Sequence, residues 1–409
     1  MADSRAYPLL SVEEAQARVL ASFRPLAVES VPILDSLGRV LAEDVAADMD
    51  VPLADNSAMD GYAVVSQDVA VASVRLRVVA ELAAGQTPSR GLGSGEAIRI
   101  MTGAVLPPGA DTVVRFEDTR CTQDWVEVLR CVPSGSHVRL AGEDVRRGST
   151  VLAAGTVIRP QEVGMLASVG RAQALVRRRP RVAILATGDE LVEIGAEVGS
   201  GKVRNTNGYS NAAQVLAAGG LPLLLGIARD RRDELVARLR QGLEAGADLF
   251  VTSGGVSVGD FDIVKEVLAS EGRMDFWWVN MKPGKPVAFG AIGDVPLLGL
   301  PGNPVAAMLG FELFARPAIM KMLGHSTWER PRVLARLRSP ILRKDGRRHY
   351  LRVRLYKGSN GLEAELTGDQ GSGILTSMVQ ADGLAIVPED CNHLPEGSEV
   401  QVMLLKSGV

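Results

Sequence analysis

Two lysines three residues apart, Lys282 and Lys285, stand in a turn stiffened by Pro283, Gly284 and Pro286. The chain has 8 lysines among its 45 basic residues, so arginine does nearly all the ordinary surface work. A compact ammonium on a rigid loop suits an oxyanion better than it suits solubility. Upstream, Ser253-Gly254-Gly255-Val256-Ser257-Val258-Gly259-Asp260 offers backbone N–H groups and two hydroxyls to an anion, with no Cβ on the glycines to hold it off. Asp260 and Asp262 would repel a bare phosphate, which calls for a cation between them, most simply Mg2+. The same loop also reads as a tight turn with Asp260 capping a helix. Further polar loops follow the same logic. Ala186-Thr187-Gly188-Asp189-Glu190 ends an apolar run in paired carboxylates, which are costly side by side unless a cation or substrate donors face them. Asp55-Asn56-Ser57-Ala58-Met59-Asp60-Gly61-Tyr62-Ala63-Val64 reads as a loop for a metal or polar ligand or as an Asx-rich turn. Thr102 opens a rigid Gly/Pro loop and is a donor for an anion.

These residues need elements to hold them. The run Leu249 to Thr252 is of strand type and leads through the glycine loop to helical spacing from Phe261 to Leu268. Val182 to Ala186, Leu221 to Ile227 and Val295 to Leu300 are further strands. Tyr209 to Ala218, the segment bearing Leu235, Val236, Leu239 and Leu243, and Pro304 to about Leu323 are helices between and after them. Asn205 to Asn207 reads as a helix cap, and so does Asp230. This alternation predicts a doubly wound α/β domain, whose strands present ligands at their carboxyl ends. Leu300-Pro301-Gly302-Asn303-Pro304 is a second such loop. From Val51 to about Leu140 short strand-like runs, Val74 to Val79, Ala97 to Met101, Thr112 to Phe116 and Trp125 to Leu129, predict a β domain. Ser11 and Glu14 form a capping box that opens a helix to about Phe23. Gln161 to Val169 is helical again. Beyond Arg330 helical periodicity disappears, and Leu351, Val353 and Leu355, with Leu384 to Val387 and Val400 to Leu405, predict a closing antiparallel β domain.

Composition bounds the rest. At 409 residues the chain is too long for one core. A net charge of −3 and a pI near 6.0 give no case for nucleic acid. No apolar run reaches the length of a membrane span and the first ten residues lack a signal-peptide pattern, so the cytoplasm is the expected location. Cys121, Cys131 and Cys391 are odd in number and scattered, which speaks against disulfides and structural zinc.

Asp55 to Val64, Thr102 to Val114, Val182 to Val192, Thr252 to Asp262, Met281 to Pro286 and Leu300 to Pro304, in this order, resemble the molybdopterin molybdenumtransferase family, which comprises bacterial MoeA and the E domain of gephyrin. The resemblance covers nearly the whole chain. It implies four domains: a mixed, discontinuous N-terminal domain (1–51 and 142–180), an inserted β domain (52–141), a doubly wound α/β molybdenum-cofactor-biosynthesis domain (181–326) and a small C-terminal β-barrel domain (327–409). It implies an enzyme that takes adenylylated molybdopterin and molybdate, uses Mg2+, and releases AMP and molybdenum cofactor. It further implies a homodimer whose site lies between the α/β domain of one subunit and the inserted β domain of the other. Molybdopterin adenylyltransferase-type enzymes and cofactor-accepting enzymes are the other expected partners. Carried over residue by residue, Asp60, Glu190 and Asp260 would surround Mg2+, and Lys282 and Lys285 would be the molybdate and phosphate cations. Thr102, Asp144, Asn207, Asp230, Ser253, Gly254, Gly255, Ser257, Pro301, Gly302 and Asn303 would bind substrate. Phe276-Trp277-Trp278 is bulkier than the family usually has before the lysine turn.

Two rivals remain at the level of sequence. The sibling enzyme that adenylylates molybdopterin shares the α/β fold but is normally that domain alone. A non-catalytic carrier of finished cofactor would gain from losing the carboxylates, and this chain keeps them.

Overall fold

A computed structural model describes residues 8–254, 272–343 and 345–406, with the backbone alone over 272–276. The expected loop and helix from Gly255 to Leu268 lie outside the described residues. The chain divides into two compact units, one of residues 30–37 and 41–176, the other of residues 1–29, 38–40 and 177–409.

The larger unit opens with β1 (Leu9–Leu10) and α1 (Val12–Ala21). The capping box forms as the sequence demands: Ser11 Oγ accepts from the Glu14 N–H at 3.1 Å, and the Glu14 carboxylate accepts from the Ser11 N–H at 2.8 Å. Val12, Ala15, Val19 and Leu20 make the buried face of α1, at helical spacing.

In the smaller unit, six strands form one sheet: β2 (Gly61–Val64), β3 (Val74–Leu82), β4 (Glu96–Ile100), β5 (Thr112–Arg115), β6 (Thr119–Cys121) and β7 (Trp125–Val128). Their order is β5-β2-β4-β3-β7-β6. Neighbouring residues serve opposite faces, as the pleat requires: Tyr62, Val64 and Val114 join one apolar cluster, Ala63, Ile98 and Val113 the other. β2 lies where the sequence suggests only a polar loop. Its three apolar residues are strand because β4 and β5 pair with it from both sides, a non-local cause that no local propensity reveals. Gly61 is required there, since a Cβ would stand 2.0 Å from the Val114 carbonyl oxygen. The helix α2 (Pro160–Ser168) packs with Leu41, Val45, Ile158 and Val176 into a separate core in the same unit.

The α/β part of the larger unit contains β8 (Arg181–Thr187), α3 (Thr206–Ala217), β9 (Leu221–Ala228), α4 (Arg232–Glu244), β10 (Leu249–Ser253), β11 (Gly272–Val279), β12 (Pro286–Ile292) and β13 (Val295–Leu300). Their sheet runs β1-β11-β12-β13-β10-β8-β9. β9, β8, β10 and β13 are mutually parallel, while β12 is antiparallel to both its neighbours. The parallel strands β8 and β10 read as unbroken apolar runs because both faces are covered. Asn205 caps α3, its Oδ1 accepting from the Gly208 N–H at 2.9 Å. Asp230 does not cap α4: the N-cap is Arg231, and no side-chain cap is made.

The expected helix after Pro304 is present but interrupted. α5 (Pro304–Gly310) passes through a π-turn (Phe311–Ala315) into α6 (Arg316–Met322). Pro317 has no N–H for the carbonyl four residues back, and that carbonyl, of Leu313, accepts instead from Gln16 Nε2 at 2.8 Å. The C-terminal strands β14 (Arg332–Leu337), β15 (Arg348–Gly358), β16 (Gly361–Leu366), β17 (Gly383–Val387) and β18 (Glu399–Leu404) close into a five-stranded barrel, because β15 pairs with both β16 and β17. A six-residue helix α7 (Leu375–Gln380) breaks the all-β expectation, being too short to leave a periodic signature.

Within the π-turn, Glu312 is buried and receives Arg316 at 3.1 Å and Arg330 at 2.9 Å. Removing the shared carboxylate strands two guanidinium groups, one of them buried. Glu312→Ala is therefore expected to destabilise the protein by about 3–5 kcal/mol, read as a lower denaturant midpoint.

Candidate active site

Three parallel strands deliver their ends to one edge of the sheet. Ser253 of β10 is level with Ala186 of β8 and Leu300 of β13. Gly254 follows with φ 88°, and a Cβ there would stand 2.5 Å from the Thr187 carbonyl oxygen, so only glycine lets the chain turn so tightly. Its N–H donates to the Leu300 carbonyl at 3.1 Å, tying the first turn to the second. Asn207, at the start of α3, donates from Nδ2 to the Gly302 carbonyl at 2.7 Å and so braces the Pro301-Gly302-Asn303 turn. Ser253 Oγ, Thr252 Oγ1, Asn207 Oδ1 and both amide atoms of Asn211 are buried and find no hydrogen-bond partner among the described residues. Buried polar atoms are normally satisfied, so this group suits a polar ligand at the strand ends. Ser253, Gly254, Pro301, Gly302, Asn303 and Asn207 thus come together, while Gly255, Ser257 and Asp260 lie outside the described residues.

Beside this edge stand the carboxylates. Asp189 and Glu190 are exposed, and Asp189 Oδ1 accepts from the Asp230 N–H at 3.2 Å. Burial, joined by the charges of Asp189 and Glu190, pushes the Asp230 carboxyl above its usual range. Such crowding marks an excess of negative charge that a hard cation would relieve. Among the described residues, however, no three potential ligands converge into a complete metal site. Of the expected metal ligands only Glu190 is described in this unit.

Asp60, Thr102 and Asp144 belong to the smaller unit. Asp60 accepts from the Thr102 N–H at 2.7 Å and from Thr102 Oγ1 at 2.8 Å, and these bonds hold its carboxyl below the usual range. Gly61 fixes the backbone directly after it. The loop keeps an ionised carboxylate in a set orientation at the surface. Asp144 is exposed, and its N–H donates to the Val51 carbonyl at 3.1 Å.

The lysine turn stands at the outgoing end of β11, and its two ammonium groups have different neighbours. Lys285 Nζ lies 3.6 Å from the centroid of the Trp278 ring, an arrangement that shares its charge with the indole face. The bulky Trp277-Trp278 pair therefore has a place: Trp277 fills the core against Phe289, and Trp278 carries the lysine. Met281–Lys282 leaves the sheet and pairs in parallel with Arg348–His349 of β15, which brings the barrel against the turn. Between them opens a cleft of about 440 Å3, lined among others by Lys282, Arg343, His349, Arg352 and Asp369. Lys282 Nζ is 3.1 Å from Asp345 Oδ2.

Arg352 is 1% exposed. Its Nε donates to Ser377 Oγ at 3.0 Å, and Nη2 donates to the carbonyls of Gly371 and Asp369 at 2.9 and 3.3 Å. Nη1 has no partner. A guanidinium this deep, hydrogen-bonded to neutral oxygens while the Asp369 carboxylate acts on it through space, keeps donor capacity for an anion in the cleft. Arg343, Asp345, His349, Arg352 and Ser377 are not among the residues the sequence singles out. Arg352 reads locally as one polar step in an alternating strand, and the segments that bury it, near 369–371 and 377, join only in the fold. For the hairpin of β12 and β13 a signal did exist: Gly293-Asp294 between two apolar runs is a two-residue turn pattern.

Comparison with known proteins agrees with this layout. The profile of the MoeA N-terminal region (domain I and II) matches residues 10–170, that of a "probable molybdopterin binding domain" residues 183–321, and that of the MoeA C-terminal region (domain IV) residues 334–405. The molybdopterin molybdenumtransferase of Haemophilus influenzae is 33% identical over 398 residues, covering 96% of this chain and 98% of its own. That of a Nostoc species is 39% identical over 388 residues, covering 92% and 88%. A crystal structure of a molybdopterin biosynthesis MoeA protein from Pyrococcus horikoshii superposes with a TM-score of 0.84 at 33% identity, covering 98% of this chain and all of that one. With relatives at this identity over almost its entire length, the chain belongs to the MoeA family of molybdopterin molybdenumtransferases.

Proposed function

We propose that this protein inserts molybdenum into molybdopterin, taking adenylylated molybdopterin and molybdate and releasing AMP and the finished cofactor. The observation that carries the reading is the buried Arg352 guanidinium in the cleft of Lys282: its hydrogen bonds go to neutral oxygens, while the Asp369 carboxylate lining the same cleft acts on it through space. Molybdate is a tetrahedral dianion, and Lys282 and Arg352 are the two cations that receive it. Arginine supplies directed N–H donors from a fixed position, lysine a mobile point charge. The strand-end turns hold the pterin phosphate: Ser253 Oγ and the backbone around Gly254 and Gly302 face it, with Asn207 keeping the second turn in place. Lys285, resting on Trp278, is within the same turn and offsets the charge of the pyrophosphate as the anhydride breaks.

Mg2+ would neutralise the same pyrophosphate and polarise its phosphorus. Glu190 is the described residue best placed to hold it, with Asp189 and Asp230 nearby to favour a cation; Asp260 and the partner subunit's Asp60 complete the set that the family resemblance implies. The working form is a homodimer, its site shared between an α/β domain and the inserted β domain of the second subunit. The molecule acts on small substrates, and among its described residues no helix is long and apolar enough to cross a membrane.

Two outcomes test this. Arg352→Ala and Lys282→Ala are each expected to weaken apparent molybdate affinity about tenfold or more, since a charge-assisted contact is worth roughly 1.5–3 kcal/mol. Steady-state AMP release measured against molybdate concentration reads the effect, and an unchanged molybdate dependence in both variants would remove the cleft from the reaction.

Shared sites predict rescue. Asp60→Ala and Glu190→Ala should each be inactive, and a mixture that exchanges subunits should recover roughly a quarter of wild-type activity. About half the dimers are then mixed, each with one intact site. A mixture that stays dead after exchange is verified would place both carboxylates in one subunit.

A further inference from the structure

Asp345 touches two residues that line the cleft, Lys282 and His349, and serves three partners at once. Its Oδ2 takes Lys282 Nζ at 3.1 Å and Arg347 Nη2 at 2.6 Å, and its Oδ1 faces His349 Nε2 at 2.7 Å. His349 is 2% exposed and stands in the two-residue ladder with Lys282 itself. Among the described residues, the charged groups around its ring are Lys282 on the segment before the lysine turn, Arg343 after Ile341–Leu342, Asp345 and Arg347 in the turn entering β15, Arg352 on β15, and Asp369 in the loop after β16. From β17, Val387 pairs with its backbone and brings no charge. We propose that Asp345 and His349 form a proton-linked latch on Lys282, in which Asp345 holds the ammonium while the cleft is empty and a proton on His349 loosens that hold in favour of a tetrahedral dianion. The inference rests on the oxyanion reading of the cleft given above.

The physical steps are few. Burial raises the Asp345 carboxyl, but His349, Arg347 and Lys282 outweigh it and hold the group well below the usual range, so it is an acceptor and His349 must donate from Nε2. Burial, with Arg343 and Lys282 adding to it against Asp345, lowers the imidazole below its ordinary value. At neutral pH the ring is therefore uncharged and Asp345 spends its charge on Lys282 and Arg347. A proton on the ring gives Asp345 a cation at Oδ1 and adds one positive charge beside the cleft. Both changes favour a dianion. By reciprocity the dianion favours the proton, and binding takes up at most one proton per site.

Sulfate is a suitable probe, because it stays a dianion throughout the range in which histidine titrates. Calorimetric titration of the full-length protein should show sulfate binding roughly three- to tenfold tighter at about pH 5.5 than at about pH 7.5. His349→Gln, which keeps a donor for Asp345 but cannot gain a charge, should lose this dependence. Asp345→Asn should bind sulfate at the higher pH about as tightly as wild type does at the lower. A His349→Gln variant that keeps the wild-type pH dependence, or an Asp345→Asn variant that binds more weakly than wild type, overturns the latch; circular dichroism verifies that each variant is folded. Lys282→Ala and Arg352→Ala separate the two ideas. If both bind sulfate like wild type, the cleft is not the oxyanion site. If both lose it while His349→Gln keeps its pH dependence, the oxyanion reading stands and the latch alone falls.

Discussion

One reversed strand decides where the charges of this protein meet. In a sheet whose other neighbouring strands run parallel, β12 runs the opposite way between β11 and β13. β11 therefore points in the same direction as β10 and β13, and its outgoing turn, with Lys282 and Lys285, stands at the edge where Ser253 and Leu300 also end. A parallel β12 would need a crossover of a dozen or more residues, and the short lysine turn could not span it. The tight reversal at Gly293-Asp294 and the rigid Pro283-Gly284 segment are thus parts of one arrangement, which collects phosphate-binding backbone and ammonium groups at a single edge.

The barrel adds what the sheet cannot supply. Only two residues, Met281 and Lys282, ladder onto β15, yet this brings a buried guanidinium opposite the lysine. The economy of the site is electrostatic. Arg352 Nε and Nη2 are held by a hydroxyl and two carbonyls, which position the guanidinium without cancelling its charge. Glu312 shows the alternative elsewhere in the same unit, where a buried carboxylate neutralises its arginines and leaves nothing for a ligand. Arg352 and Arg316 are both buried and differ in partner chemistry, and Arg352 lines a cleft.

How much of this was legible in the sequence follows from the range of each cause. The Ser11–Glu14 box and the Asn205 cap span three residues and were readable directly. So were β8, β10 and β13, whose apolar runs reflect burial on both faces. β2 was not, since its strand character comes from β4 and β5, nor was the missing cap at Asp230, whose carboxyl stands instead with Asp189 and Glu190. The lysine turn and the strand-end turns were legible from residue types and spacing, the family resemblance gave them roles, and the fold brings those described together. Neither reading supplied Arg352, Ser377 or the Asp345–His349 pair, because the partners of Arg352 join it only in the fold and Asp345–His349 links a turn to the strand after it without local signature.

The indole of Trp278 has an optical consequence. A positive charge held 3.6 Å from its ring centroid acts on the excited state of the chromophore as well as on its ground state. Trp277, two-dimensionally its neighbour on the strand, is sealed in the core and insulated from such changes. The lysine turn therefore carries its own intrinsic dye, and any cargo that draws Lys285 off the ring alters the colour of light the protein emits, with no label attached.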